Sequence, residues 1–186
     1  MLRARITQSR ARLPGCFRYL SSGQSLPTIE LRLSTPGDKY SLPTKGKQIL
    51  IGVPAAFSPG CSNSHIPGYL KKAQEFKKAG IDGINIISVN DAFVMKAWAD
   101  SFSSESTQDV LSSSGGNDGF FKFLADHDGS WISAADVAFD ASSILGGHRS
   151  KRFAAIIKDG IVQQAFFEPD NTGITVSAAE NVLKRL

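Results

Sequence analysis

Alternating apolar and polar positions mark the start of the part of the chain that can form a packed domain, at about residue 26. Ile29, Leu31 and Leu33 alternate with polar neighbours, residues 35–38 include a Pro-Gly pair, and residues 40–42 can return beside the first strand. We therefore expect a β-hairpin at the beginning of this domain.

Two continuous apolar runs follow, at residues 48–53 and 84–89, and each has the length of a buried strand. Residues 66–78 continue the first run as a helical pattern, which we expect to bend near Pro67, and residues 91–99 continue the second. Strands and helices that alternate at these lengths pair in parallel through right-handed crossovers. The first half of the domain therefore predicts a parallel sheet with helices packed on it.

The second half adds antiparallel elements to this sheet. An Asp159-Gly160 turn between two apolar runs is the clearest hairpin signal in the sequence. The pattern predicts a strand at 120–124, a short helix around 133–139, hairpin strands at 153–157 and 161–167, and a closing helix at 178–186. Together these elements predict a thioredoxin-like α/β fold, with a central mixed β-sheet flanked by helices and an N-terminal hairpin.

Residues 101–118 interrupt this order of elements. They hold seven serines and a Gly-Gly-Asn-Asp sequence, which is too little apolar content for a core element. We expect a surface loop here, and a tolerated insertion is favoured over a regulatory role.

The first 20 residues differ in composition from everything that follows. They contain no acidic residue and five arginines, with serine and apolar residues between them: Arg3, Arg5, Arg10, Arg12 and Arg18. This is the composition of a mitochondrial presequence. The segment 18–21 is similar to a matrix-protease cleavage site, so we predict import into the mitochondrial matrix and cleavage after Leu20. The alternative is a basic tail that binds anionic surfaces.

Removal of residues 1–20 changes the charge of the protein. Five of the 21 Lys and Arg residues lie there, and the remaining 16 face 17 acidic residues, so the formal net charge falls from +4 to about −1. No arginine stripe with interleaved aromatic residues remains, so we expect no nucleic-acid partner. No apolar run reaches the roughly 18 residues that a membrane-spanning helix needs, so we expect no membrane partner.

Cys16 and Cys61 are the two cysteines of the chain, which excludes a disulfide framework. The three histidines have no metal-ligand spacing with one another or with Cys61, so we expect neither a metal nor another cofactor. Cleavage after Leu20 would remove Cys16 and leave Cys61 as the one thiol of the mature protein.

Cys61 has the surroundings of a nucleophile. It comes where the strand at 48–53 gives way to a helix, and the unpaired N–H groups of a helix start favour a thiolate over a thiol. Pro54 and Pro59 fix the backbone on either side, and Ser58 places a hydroxyl within reach of the sulfur or of its substrate.

The same stretch carries a family resemblance. Residues 52–68 resemble the active-site segment of the type II, or peroxiredoxin 5-like, thiol peroxidases, whose Pro-x-x-x-Thr/Ser-x-x-Cys pattern is matched by Pro54, Ser58 and Cys61. The further matches are residues 88–94 with Trp98, 151–153, 158–162, and 168–170 with Thr172 and Gly173. The resemblance therefore covers the whole predicted domain at 26–186.

The resemblance implies that Cys61 attacks peroxide and becomes a sulfenic acid. It implies that Ser58 hydrogen-bonds the thiolate or the peroxide, that Arg152 lies against the thiolate, and that Pro54 shields the sulfur from water. Hydrogen peroxide and alkyl hydroperoxides are the implied substrates, antioxidant defence is the implied role, and a homodimer is the usual assembly of the family.

Each of these residues also has a simpler interpretation. A lone cysteine is usually buried packing, Ser58 can be a turn residue, and Arg152 can be a solvated charge at a strand end. Arg149 also fits a family arginine and is a second candidate for supporting the site. We expect His65 to form hydrogen bonds at the helix start rather than to act as an acid or a base.

The chain departs from the family where a second cysteine would resolve the sulfenic acid. Animal relatives carry that cysteine where this chain has Val176, and plant relatives carry one where it has Ile86. We therefore expect a one-cysteine cycle in which glutathione with glutaredoxin, or thioredoxin, reduces Cys61. Ser58 in place of the commoner threonine keeps the hydroxyl and loses the methyl group that restricts it. The alternative function is a peroxide sensor or relay that passes the oxidation to a partner protein.

Overall fold

The computed structural model describes residues 20–104, 107, 111 and 119–186 of the chain. The predicted presequence lies outside the described residues, except for Leu20. Of the predicted Ser-rich loop, residues 105–106, 108–110 and 112–118 lie outside them as well.

The strands of the described residues are β1 (Leu31–Arg32), β2 (Lys39–Tyr40), β3 (Lys47–Gly52), β4 (Gly83–Ser88), β5 (Phe121–Ala125), β6 (Ala138–Asp140), β7 (His148–Ser150), β8 (Phe153–Lys158) and β9 (Ile161–Phe167). Seven of them form one sheet in the order β2-β1-β5-β4-β3-β8-β9, and β6 pairs with β7 in a separate ribbon. β3, β4 and β5 are parallel, while β1, β8 and β9 pair antiparallel with their neighbours. The predicted mixed sheet and the N-terminal hairpin are confirmed, although each strand of that hairpin spans two residues.

The helices of the described residues are a π-helical segment (Cys61–His65), α1 (Ile66–Lys71), α2 (Ala73–Lys78), α3 (Ala92–Asp100), α4 (Ser130–Ala134), α5 (Ser142–Leu145) and α6 (Ala179–Leu183). The helix predicted at 66–78 is present, but it breaks at Lys72 and not near Pro67. Lys72 leaves the helical conformation at φ −98° and ψ 8°. Pro67 is the second residue of α1, which directly follows the π-helical turn.

The helix predicted around 133–139 is wrong in its extent. α4 ends at Ala134, and Phe139 lies in β6, where it pairs with Arg149. Asp136 has a φ of 54°, and this left-handed conformation cannot continue an α-helix.

Both faces of the central sheet are buried. On one face, Ile49 and Ile51 of β3 pack in a cluster with residues of α1, α2, α3 and α6. On the other face, Leu50 packs with residues of α4 and with Leu20. This alternation follows from the two-residue period of a strand, and it confirms the helices on both faces that the thioredoxin-like fold requires.

Three segments meet at one edge of this sheet. β3 and β4 are parallel, so the segments that follow Gly52 and Ser88 leave from the same edge. β8 is antiparallel to β3, and its first residue, Phe153, pairs with Gly52. The sheet therefore brings the helix start at Cys61 close to the residue that precedes β8, Arg152.

Candidate active site

Cys61 lies in the first turn of the helix that follows β3. The carbonyl of Ser58 accepts a hydrogen bond from the N–H of Ser62 at 2.9 Å, and Pro59 occupies the first helical position. The Cys61 thiol is unpaired and its side chain is fully buried. The π-helical turn then places His65, four residues later, on the same buried side of the helix.

Ser58 lies beside the sulfur. Its Oγ is 2.9 Å from Cys61 Sγ and 3.0 Å from the carbonyl oxygen of Ala55. Because a hydroxyl has one hydrogen, it donates to one of these two acceptors at a time. A thiolate is the stronger acceptor because it is charged. Ser58 can therefore stabilise the sulfur anion when Cys61 ionises.

Arg152 approaches the sulfur from the start of β8, and its side chain is buried. Its Nη1 donates to Cys61 Sγ at 3.3 Å, and its Nε donates to the carbonyl of Thr172 at 2.9 Å. The backbone is held as well, because the N–H of Arg152 donates to the carbonyl of Asn171 at 2.9 Å. Arg152 thus brings a fixed positive charge within hydrogen-bond distance of the sulfur.

The second terminal nitrogen of Arg152, Nη2, has no hydrogen-bond acceptor among the described residues. It lies beside Gly60, where an added Cβ would come within 3.1 Å of it. Contacts that short are tighter than ordinary van der Waals packing, so a side chain at position 60 would crowd Nη2. The absence of a side chain at Gly60 thus leaves room for Nη2 of Arg152.

His65 lies between Arg152 and the backbone of Ser177. Its Nδ1 is 3.2 Å from Arg152 Nη1, and its Nε2 is 3.1 Å from the carbonyl oxygen of Ser177, which also accepts a hydrogen bond from the Tyr69 hydroxyl at 2.6 Å. Burial, and then the charge of Arg152, lower the pKa of His65 to about 4. The hydrogen bonds predicted for His65 are present, but their partners are Arg152 and Ser177, and the side chain does not cap the helix.

Glu168 holds the segment that carries Ser177. Its buried carboxylate accepts hydrogen bonds from the N–H and hydroxyl groups of both Thr175 and Ser177, at 2.7 to 2.8 Å. Burial by itself raises the pKa of Glu168, but these four donors outweigh it and the pKa lies below its usual value. Sequence reasoning noted Glu168 as part of a matched motif, and the Thr-x-Ser spacing that follows was the available signal for this role.

The two remaining candidates, Pro54 and Arg149, differ in their position relative to the sulfur. Pro54 is buried in the segment between β3 and Cys61, as a residue that excludes water would be. Arg149 does not reach the sulfur: its Nη1 donates to the carbonyl of Val89 at 2.5 Å and its Nη2 to that of Leu145 at 2.6 Å. Arg149 therefore ties the end of β4 to α5.

Asn90 is a residue whose position sequence reasoning missed. Its Oδ1 accepts hydrogen bonds from the N–H of Ala56 at 3.0 Å and from the hydroxyl of Ser88 at 2.7 Å. The cap of α3 is the next residue, Asp91, whose side chain accepts a hydrogen bond from the N–H of Val94. Asn90 thus fixes the loop before Cys61 against the end of β4.

The arrangement is that of a nucleophile surrounded by fixed donors. Two groups, a hydroxyl and a guanidinium, donate to one buried sulfur. Within the described part of the chain, no group of three His, Cys, Asp or Glu side chains could hold a metal ion. The helices of the same residues include none that is long and apolar enough to cross a membrane.

Comparison with known proteins adds relatives over most of the chain. A family model described as Redoxin matches residues 21–183. The chain is 40% identical over 164 residues to the peroxisomal membrane associated protein 20 of Schizosaccharomyces pombe, a match that covers 88% of this chain and 97% of that protein. It is 37% identical over 170 residues to peroxiredoxin-2C of Oryza sativa subsp. japonica, with 88% and 96% covered.

Solved structures agree with the sequence relatives. The structure of reduced Prx3 from Vibrio vulnificus in complex with H2O2 has a TM-score of 0.75 and 35% identity, and the match covers 89% of this chain and 99% of that one. Peroxiredoxin 5 from Alvinella pompejana has a TM-score of 0.73 and 30% identity, with 89% and 98% covered.

Proposed function

The chain belongs to the Redoxin family as a peroxiredoxin 5-like peroxiredoxin, a thiol-dependent peroxidase, and we propose that Cys61 reduces hydrogen peroxide and alkyl hydroperoxides in a one-cysteine cycle. One observation carries this proposal: Ser58 Oγ and Arg152 Nη1 lie 2.9 and 3.3 Å from the same buried sulfur. Both donors favour the thiolate, which is the nucleophilic form of cysteine.

In the first step, the Cys61 thiolate attacks the nearer peroxide oxygen. The S–O bond forms while the O–O bond breaks, and two electrons pass from sulfur to the peroxide. The step consumes one proton and yields a sulfenic acid and water or an alcohol. Arg152 Nη2 and the Ser58 hydroxyl are the donors for the charge that develops on the two oxygens. The H2O2 complex of the related Vibrio protein supports this choice of substrate.

In the second step, a thiol from outside the chain resolves the sulfenic acid. Its sulfur bonds to Cys61 and releases water, and a second thiol then frees Cys61 from the mixed disulfide. An external thiol is proposed because Val176 and Ile86 occupy the two positions where relatives carry a resolving cysteine. Ile86 is also fully buried on β4.

The physiological reductant is glutathione with glutaredoxin, or thioredoxin, and peroxide consumption with each system tests the proposal. Full-length protein should turn over with one of them, and a Cys61→Ser variant should not turn over with either. Absence of turnover with both would contradict the peroxidase cycle. Stoichiometric oxidation of Cys61, followed by transfer to a single partner protein, would instead establish the sensor or relay.

The one-cysteine mechanism has its own test. In a full-length Cys16→Ser variant, peroxide should leave a sulfenic acid on Cys61 that a dimedone reagent traps, and glutathione should convert it to a mixed disulfide. Excess peroxide without thiol should drive Cys61 to the sulfinic acid. Rapid and quantitative formation of a Cys61–Cys61 linked dimer in non-reducing mass analysis would contradict the mechanism.

We also propose that the protein works in the mitochondrial matrix, on the composition of residues 1–20. The cleavage predicted after Leu20 would remove a core residue, because Leu20 is 3% exposed and belongs to the hydrophobic cluster on the α4 face. The cut must therefore precede folding of this segment. A fusion of residues 1–20 to a reporter should reach the matrix and be cut near Leu20. Delivery to peroxisomes, for which one relative is named, would contradict the proposal.

A homodimer is the proposed assembly. Phe57, Phe93 and Ile144 are 54, 61 and 83% exposed. Asn90 and Arg149 tie the segments that carry these side chains to the end of β4. A second copy of the chain would bury these apolar groups. Sedimentation should show a dimer that a Phe93→Asp substitution weakens, with Lys78→Asp as a control on α2; a monomer at all concentrations would contradict the assembly.

A further inference from the structure

His65 is a buried titratable side chain that the proposed peroxidase cycle does not use. Its exposed fraction is 1%, and each ring nitrogen has a different partner. Nδ1 faces Arg152 Nη1 at 3.2 Å, and Nε2 faces the carbonyl oxygen of Ser177 at 3.1 Å. The Arg152 nitrogen that faces His65 is the same one that donates to Cys61 Sγ.

The chemistry of these partners determines the form of the ring. A guanidinium can only donate hydrogen bonds, and a carbonyl can only accept them. Nδ1 must therefore be the accepting nitrogen, and Nε2 must carry the hydrogen. Burial and the Arg152 charge lower the pKa of His65 to about 4, so the neutral ring is the form present near neutral pH. A protonated ring would point an N–H at the guanidinium and repel it.

The far end of the ring is itself held in place. Glu168 accepts two hydrogen bonds from Ser177 and two from Thr175, so the Ser177 carbonyl has little freedom. That carbonyl also accepts from Tyr69. The charged and titratable groups around His65 are Cys61 and Tyr69, from the same helix, and Arg152 and Glu168, from the last third of the chain.

We infer that His65 is a positioning residue for the peroxidase reaction: its neutral Nε2–H form holds Nη1 of Arg152 against Cys61. Arg152 Nη1 has two hydrogens, and His65 and Cys61 together accept both. With Nε already bound to Thr172, the His65 contact prevents the guanidinium from swinging away from the sulfur. His65 does not touch the reacting atoms and acts only through Arg152.

Substitution of His65 by Asn or by Gln tests the two ring nitrogens one at a time. Asn at position 65 places an oxygen near the position of Nδ1 and keeps the acceptor for Arg152, whereas Gln places an N–H near the position of Nε2 and keeps the donor for Ser177. We expect His65→Asn to react with hydrogen peroxide within about threefold of wild type. We expect His65→Gln to react about 10 to 100 times more slowly, which corresponds to one lost charge-assisted hydrogen bond. Exposed His127→Gln is the matched control.

Two second-order rate constants of Cys61 are measured in the full-length protein, one with hydrogen peroxide and one with a neutral alkylating reagent. The readout is the first divided by the second. This ratio isolates the peroxide-specific contribution of Arg152, which a general loosening of the fold would not change selectively. A lower ratio in His65→Gln, restored in His65→Asn, supports the inference. Equal losses in both variants, or a loss in Asn alone, would overturn it.

A measurement on the wild-type protein remains decisive if either variant does not fold. Nitrogen NMR of labelled histidine should show His65 near neutral pH as a neutral ring, with Nε2 protonated and Nδ1 unprotonated. The other tautomer or the imidazolium form would overturn the inference. The rate experiment rests on the proposed function, whereas the NMR signature does not, so failure of one is distinguishable from failure of the other.

Discussion

Arg149 and Arg152 are three residues apart in the chain, but they serve two different regions of the molecule. Arg149 lies on β7, is partly exposed, and donates to the carbonyls of Val89 and Leu145. Arg152 lies at the start of β8, is buried, and donates to the sulfur of Cys61. One arginine joins two loops, and the other donates to the sulfur that we propose as the nucleophile. Residue type and family pattern are the same for both, so the difference lies in the acceptors that the fold presents.

Removing each arginine should produce the largest difference between the two regions. Arg152→Ala should slow the reaction of Cys61 with hydrogen peroxide by about 100- to 1000-fold, the usual cost of a lost donor to a developing anion, or about 3 to 4 kcal/mol. Arg149→Ala should lower the free energy of unfolding by about 1 to 3 kcal/mol, through two lost hydrogen bonds, and change the rate little. Stopped-flow kinetics and urea unfolding measure the two quantities. A rate loss of equal size in both variants would remove the distinction.

The buried region around His65 should also make the free energy of unfolding depend on pH. The pKa of His65 is about 4 in the folded protein and about 6.5 when unfolded, so between these values the unfolded chain binds more protons. Stability is therefore complete above about pH 6.5 and falls by about 3 kcal/mol as the pH drops to about 4. Glu168, whose pKa is lowered, loses its contribution at lower pH, below about 4.3.

Urea unfolding of wild type and His65→Asn across this pH range measures the effect, because the difference between them cancels the other groups. The variant should lose much less stability between about pH 6.5 and 5. Parallel curves for the two proteins would show that His65 is not buried in its neutral form.

Of the three sets of predictions, the substitutions of Ser58 should give the smallest effect. Ser58→Ala removes the hydroxyl at 2.9 Å from the sulfur and should slow peroxide attack by about 10- to 100-fold, which is one hydrogen bond to a charged group. Ser58→Thr restores the hydroxyl and adds a methyl group that restricts its rotation, so its rate should equal or exceed that of wild type. A Thr variant as slow as the Ala variant would show that the hydroxyl does not act on the sulfur.

Much of the fold was predictable because its signals are local. The buried strands β3 and β4, the Asp159-Gly160 hairpin and the helix after Cys61 each follow from the pattern of a few neighbouring residues. The errors occurred where backbone conformation overrode the pattern. Lys72 breaks a helix that reads as continuous, and Asp136 ends α4 before a strand that has a helical composition.

Of the candidate site, the cysteine and its serine were predictable because they share one loop. The roles of Glu168 and His65 were not, although their residue types were visible. A buried carboxylate and a buried imidazole acquire their function from the groups that face them, and those groups come from distant parts of the chain.

By itself, the sequence determined the strands of the central sheet, the family, and the position of Cys61 at a helix start, because each of these depends on short patterns of neighbouring residues. Only the tertiary structure decided that Arg149 bonds away from the sulfur and which ring nitrogen of His65 carries the proton. Arg152 is 91 positions from Cys61, and Ser177 is 112 from His65. Contacts at such separations are set by strand pairing and by the packing of the 168–177 segment against the first helix, which no local pattern contains.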